Sequence, residues 1–220
     1  MARGSGFLAI WSDVEPRQET DYLHWLTREH TAERLSIPGF LGVRVFRARL
    51  AGHCRYFILY RLEEPGVLGS RSYLARLNAP TQWSRRTMPI LGNFIRGGGG
   101  VVAEAGSGQG GIILPLVLEA NEIATARALL DAVAAMDRVV SARILEVEPG
   151  GTGIQTTEKS MRAQDRSFAA LLLIEALAGD ALDHAHAEVA KTMRPNMPAL
   201  VYDQVFALND QDVIGGGGLT

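Results

Sequence analysis

The sequence predicts an α+β protein in which one β-α-β-β-α-β unit occurs twice. The two sheets are expected to pack against each other as a barrel with the helices outside. Three observations predict this: element order, strand faces that are apolar on both sides, and glycine runs near the midpoint. In the first half, Phe7–Val14 reads as a strand, Glu19–Ser36 as a helix, and Gly42–Arg49 and Cys54–Glu63 as strands. A helical stretch from Ser72 to Met88 and a strand near Phe94–Glu104 follow. In the second half, Gly111–Glu119 is a strand, Asn121–Met136 a helix, Arg138–Val147 and Ser167–Ala176 strands, Asp180–Met193 a helix and Leu200–Leu208 a strand. Both halves spell the split-βαβ order.

Ile112, Leu114, Leu116 and Leu118 alternate with Ile113, Pro115, Val117 and Glu119, and Leu171–Ile174 is continuous aliphatic. Strands apolar on both faces are buried on both faces. One face takes the helices; the natural cover for the other is the second sheet of the same chain. A homodimer of whole chains is the competing cover. Gly97–Gly100 and the glycine-rich Gly106–Gly111 bracket the midpoint. Glycine runs supply no packing and suit linkers or loops better than core strands. They place a boundary near Ser107, dividing a unit of residues 1–106 from one of 107–220. Arg86-Thr87-Met88-Pro89 and Lys191-Thr192-Met193-Arg194-Pro195 end the second helix of each half, where proline is a helix stop. The polar, glycine-containing Pro149–Gln164 reads as a long mobile hairpin loop, and Gly215–Gly218 as further punctuation.

At 220 residues, with 47% hydrophobic and 21% charged residues, the composition is that of a globular protein. A net charge of −2 gives no general attraction to nucleic acid or anionic membrane. Cys54 is the only cysteine, so intrachain disulfides and thiolate metal clusters are excluded. The N-terminus lacks the apolar core of a signal peptide and no apolar run could cross a bilayer as a helix. The expectation is a cytoplasmic protein with no nucleic-acid or membrane partner. It would be a monomer with an internal pseudo-dimer, or a homodimer.

The residues Tyr22, His24, Trp25 and His30, then Ile37-Pro38-Gly39-Phe40 and Asn78-Ala79-Pro80-Thr81-Gln82-Trp83, carry a resemblance. The chain resembles the dimeric α+β barrel superfamily in its tandem form, two ferredoxin-like units in one polypeptide. The first half is most similar to the EthD-like branch. The motifs cover about the first hundred residues; the second half matches by element order alone. The superfamily includes cyclases, isomerases, monooxygenases and haem-handling proteins, so the likeness implies a fold and no single reaction.

Placed at 100° per residue, Tyr22, Trp25 and Leu26 share one side of the first helix. Glu29 and Glu33 project onto that side, His30 lies at its edge, and Thr27, Arg28 and Thr31 point away. Acid and imidazole at the end of an apolar stripe are read as a cleft between helix and sheet. His30 is the candidate acid/base, with Glu29 or Glu33 orienting it. Tyr22, Trp25, Tyr56 and Trp83 are the expected aromatic wall. On the second and third strands, Val43 and Val45 oppose Arg44 and Phe46, and Tyr56, Ile58 and Tyr60 oppose Phe57 and Leu59. Arg44 would hold an anionic group or pair with Glu29 or Glu33, and Tyr56 would donate to a substrate oxygen. The competing structural reading has the glutamates paired with Arg34, Arg44 or Arg47.

His24 faces solvent, His184 and His186 diverge on their helix, and His53 and Cys54 point oppositely at a hairpin. None has metal-pair or nucleophile spacing, so no metal and no cofactor is expected. Gly106, Gly108 and Gly111 match G-x-G-x-x-G literally, but a strand follows them, which suits a linker and not a dinucleotide site. The first helix of the second half is alanine-rich without histidine or aromatics, so one site per chain is expected, in the first half. The reading is a cofactor-free cyclase or isomerase acting on a small apolar or aromatic metabolite. The alternatives are a non-catalytic small-molecule-binding or stress-associated barrel and, third, a haem binder through His30.

Overall fold

The computed structural model describes residues 4–52, 54–162, 165–193 and 199–213. His53, Arg194, Pro195 and Gly215–Gly218 lie outside the described residues. The first half runs β1 (Gly6–Val14), α1 (Glu19–Trp25), a π-helical turn (Leu26–His30), α2 (Thr31–Leu35), β2 (Phe40–Ala48) and β3 (Cys54–Leu62). It continues through α3 (Arg71–Asn78) and α4 (Gln82–Thr87) to β4 (Gly92–Gly106). The second half runs β5 (Ile112–Leu118), α5 (Ile123–Ala134), β6 (Val139–Val147), the short α6 (Pro149–Thr152) and α7 (Thr157–Ser160), and β7 (Ala170–Ala176). α8 (Gly179–Ala190), β8 (Tyr202–Asn209) and α9 (Asp210–Val213) complete it.

The eight strands close into one barrel in the order β1-β3-β2-β8-β5-β7-β6-β4. Each half therefore contributes four antiparallel strands in the same internal order, and the seams are β2–β8 and β4–β6. The halves meet face to face inside the barrel and are also hydrogen-bonded at both edges. Closure leaves no unpaired sheet edge. Inward residues of both halves form the barrel core. Phe7, Trp11, Phe46 and Phe57 meet Leu145, Leu171, Leu173 and Tyr202 there. Trp11 packs on Phe57 at 4.7 Å between ring centroids and edge-on to Phe168 at 5.4 Å. Two outer layers, one per half, lie between sheet and helices.

The Gly97–Gly100 run is not a linker. It lies inside β4, paired to β1 on one side, with Gly99 and Gly100 also paired to β6 on the other. A Cβ on Gly97 would sit 2.6 Å from the Phe168 ring, and one on Gly99 would sit 2.1 Å from the Glu146 carbonyl oxygen. The run keeps the strand thin where neighbours approach closely, and its ladder bonds offset the entropy cost of glycine.

Pro149–Gln164 was expected as a mobile loop, and its described residues are packed instead. They carry α6 and α7, and the chain then returns along β4, where Arg96 N–H donates to the Arg166 carbonyl and Arg166 N–H to that of Phe94. This strap from the second half lies over the helix–sheet layer of the first.

Candidate functional site

The π-helical turn decides which side chains of the first helix face the sheet. A π turn spends one extra residue, so the face beyond it shifts by one position. Glu29 and Glu33, expected on the buried side, are only partly buried. His30 and Arg34 take their places, at 5% and 2% exposure. Thr31, expected to point outward, is fully buried. The chamber so formed lies between this helix and the outer face of β1, β3 and β4. Tyr22, Trp25, Tyr60, Tyr73 and Phe94 are among its walls, and Glu158 and Arg162 of the strap close it. Its volume is about 30 Å³, room for about two waters at the ~10–15 Å³ that each requires.

His30 lies against Trp25, ring centroids 4.2 Å apart and 32° between planes. Its Nδ1 has no hydrogen-bond partner among the described residues. Burial, then Arg34 and Arg162, hold its pKa well below the ordinary 6.5, so the imidazole is neutral. Arg34 is held by Glu158, and Arg162 stacks over Phe94 at 4.3 Å. The Tyr60 hydroxyl is buried without a partner among the described residues, and burial pushes its pKa well up, which keeps it a proton donor.

Not every residue expected at the site is in it. Tyr22 and Trp25 line the chamber, with the Tyr22 hydroxyl 3.3 Å from Ser12 Oγ and Trp25 Nε1 donating to Ser84 Oγ at 3.2 Å. Glu29 accepts from Thr81 Oγ1 at 2.6 Å and Glu33 pairs with Arg76 at 2.9 Å, so neither orients His30 through a hydrogen bond described in the structure. Tyr56 is on the same strand face as Tyr60, but its hydroxyl donates to Glu19, which also pairs with Arg47. Trp83 lies at the outside, its Nε1 on Asp21 and Arg86 over its ring at 5.2 Å. Arg44 points the other way, into the barrel. Its Nη1 meets Glu175 at 2.7 Å and its Nε donates to Gln204 at 2.7 Å, so it pairs with neither Glu29 nor Glu33. Arg143 meets the other Glu175 oxygen at 2.8 Å.

Sequence reasoning missed Arg96, Arg162, Glu158 and Tyr60 as chamber residues. The parity of Tyr56, Ile58 and Tyr60 contained the signal for Tyr60. Nothing local marked the strap residues, which reach the chamber only through the packing of the halves. A second, larger cavity of about 490 Å³ opens at one mouth of the barrel, between Phe7, Arg44, Leu59, Arg143 and Leu173. A haem does not fit at His30, because the imidazole is stacked on Trp25 in a chamber of about 30 Å³. His184 and His186 of α8 are exposed and half-buried, respectively, outside the packed layer of their half.

The fold is that of the dimeric α+β barrels, with both ferredoxin-like units in one chain. Among solved structures, an anthrone oxidase-like protein superposes with a TM-score of 0.61 at 10% identity, covering 95% of this chain and 94% of its own. A candidate monooxygenase from Fusobacterium nucleatum superposes with 0.57 at 11% identity, covering 100% and 98%. A candidate chlorite dismutase gives 0.53 at 10% identity, covering 96% and 98%. No protein-family model matches the sequence, and no curated protein matches it. No helix among the described residues is long and apolar enough to cross a membrane.

Proposed function

We propose that the protein binds a small molecule in the helix–sheet chamber of its first half and performs cofactor-free proton transfer on it, as a cyclase or isomerase would. The observation that carries this reading is the π-helical turn, after which a neutral His30, its Nδ1 unpaired among the described residues, lies inside an aromatic chamber. π turns are rare and recur at functional sites, and a buried polar atom without a partner is unusual. The resemblance of the first half to the EthD-like branch supports the same location.

In this reading the imidazole takes a proton from carbon beside a carbonyl of the ligand. The C–H electron pair passes to the carbonyl oxygen as an enolate, which the Tyr60 hydroxyl and the neighbouring guanidinium groups stabilise. Returning the proton to another carbon gives an isomer, and attack of the enolate on a second carbonyl closes a ring. Neither outcome needs an oxidant. Trp25 and Tyr22 exclude water. Glu29, Glu33, Tyr56, Arg44 and Trp83 have supporting or structural roles.

A non-catalytic binding barrel is the second reading. It is favoured by the small closed chamber and by the engagement of Glu29 and Glu33 with Thr81 and Arg76. Proton–deuterium exchange into a panel of small enolisable ketones and keto acids, followed by NMR, separates the two. Exchange that is lost in His30→Gln with an unchanged melting temperature supports catalysis. Absence of exchange across a panel that binds by native mass spectrometry supports the binding barrel.

A further inference from the structure

Three guanidinium groups meet around the chamber, and among the described residues the carboxylates paired with them number two. Glu158 neutralises Arg34. Asp165 is shared: its Oδ2 is 3.1 Å from Arg162 Nη2 and 3.5 Å from Arg96 Nη2. Glu33, one position from Arg34, is engaged by Arg76. One positive charge is left over in a region where the Arg96 and Arg162 side chains are 6% and 2% exposed. Donors are left over as well. Arg34 Nη1, Arg96 Nε, Arg162 Nε and the Tyr60 hydroxyl are buried with no partner among the described residues. A guanidinium does not shed its proton, and buried charges are ordinarily paired. The barrel-mouth cavity differs, because Arg44 and Arg143 there are committed to Glu175.

We infer that the chamber binds a small planar oxyanion, a carboxylate above all, held by Arg96 and Arg162 of opposite halves with Arg34 and Tyr60 donating from the side. The planar fork of arginine matches the geometry of a carboxylate, and a volume of about 30 Å³ suits such a group. As a statement about substrate this rests on the reading above. It makes the ligand an acid and makes the strap of the second half part of the site. Two sources share the chemistry: a free small oxyanion, and the carboxylate end of a larger metabolite whose remainder lies outside the chamber.

The test is calorimetric titration of the full chain with sodium formate, sodium nitrate and sodium benzoate, sodium chloride holding ionic strength constant. The expected result is saturable 1:1 binding of formate that weakens at least tenfold in Arg162→Met and in Arg96→Met. Surface Arg138→Met should bind as the native chain does. Binding of formate and nitrate without benzoate identifies a free oxyanion; binding of benzoate as well identifies the acid group of a metabolite. Arg162→Lys keeps the charge and loses the fork, so it should weaken binding with the fold intact even if the methionine variants do not fold. No saturable binding of any of the three anions, or equal binding in the arginine variants, overturns the inference. Anion binding without His30-dependent exchange leaves the anion site standing and removes the catalytic reading. Exchange that depends on His30 without anion binding does the reverse.

Discussion

Arg34 Nη2 lies 2.5 and 2.7 Å from the two carboxylate oxygens of Glu158, 124 residues along the chain, and both side chains are 3% exposed. The pair ties the first helix of one half to the strap of the other. With the Arg96–Asp165 pair, it is one of the buried polar contacts through which the second half closes the chamber of the first.

Removing one partner of such a pair strands a buried charge. Glu158→Gln is expected to destabilise the fold by about 3–5 kcal/mol, read as a lower urea midpoint. Arg34→Met combined with Glu158→Leu should recover most of that loss, because both charges go together. A double variant as unstable as the single would show that packing of the strap, and not the charge, is what the pair supplies.

Glycines inside β4 are tightly enclosed, whereas Gly111, between β4 and β5, is open. Gly98→Ala would put a Cβ 2.2 Å from Leu68 Cδ1, a side-chain end that can shift, whereas Gly99→Ala meets the Glu146 carbonyl. Overpacking of this kind costs about 1–3 kcal/mol, and Gly99→Ala should be the worse of the two because backbone cannot give way. Gly111 has nothing within 4 Å of its Cβ position, so Gly111→Ala should melt within a degree or two of the native chain, or slightly higher. Equal melting temperatures for all three would contradict the close packing of β4.

His30 makes stability depend on pH with a fixed sign. Its folded pKa is held well below 6.5 by burial, Arg34 and Arg162. Above about pH 6.5 both folded and unfolded chains carry a neutral imidazole, and its contribution is fully present. As pH falls below that value, the unfolded chain binds a proton that the native chain refuses. Stability then drops by up to about 1.4 kcal/mol per pH unit until the folded pKa is reached. Urea midpoints of the native chain and of His30→Gln, compared between about pH 5 and about pH 7.5, should show the native chain losing stability relative to the variant as pH falls. A constant difference across that range would place a solvated imidazole at this position, and a native chain that gains on the variant as pH falls would place a charged one.

Inside the barrel, Glu175 is fully buried and binds Arg44 and Arg143 through separate oxygens, with the Gly110 N–H donating at 2.9 Å. It is the floor on which two strands of opposite halves place their cations. Glu175→Gln leaves both guanidinium groups facing each other and should cost about 3–5 kcal/mol. A change in chemical denaturation below about 0.5 kcal/mol would mean that water already screens this cluster.

The duplicated order of elements was legible in the sequence because strand alternation, helical stripes and turn residues are local signals. So was the need to cover a second apolar face, since Leu114, Leu116 and Leu171–Ile174 could not face water. The residues that make the chamber were only partly legible. Tyr22 and Trp25 sit where hydrophobic periodicity put them, ahead of the π turn, whereas His30, read at the edge of the stripe, is buried within it. Beyond the turn the register moves by one residue, and a wheel drawn at 100° assigns Glu29 and Glu33 to the positions that His30 and Arg34 occupy. That extra residue leaves no mark in composition. Arg44 was correctly seen as an odd mid-strand charge, but its partner Glu175 lies 131 residues away on another strand. The sequence by itself therefore determined two β-α-β-β-α-β units with buried sheet faces, because those patterns repeat within a few residues. Only the tertiary structure decided which charges meet, that glycines fill a strand, and that Glu158, Asp165 and Arg162 reach the first half. Those pairings join chain segments far apart in sequence, and closure of the barrel is what brings them together.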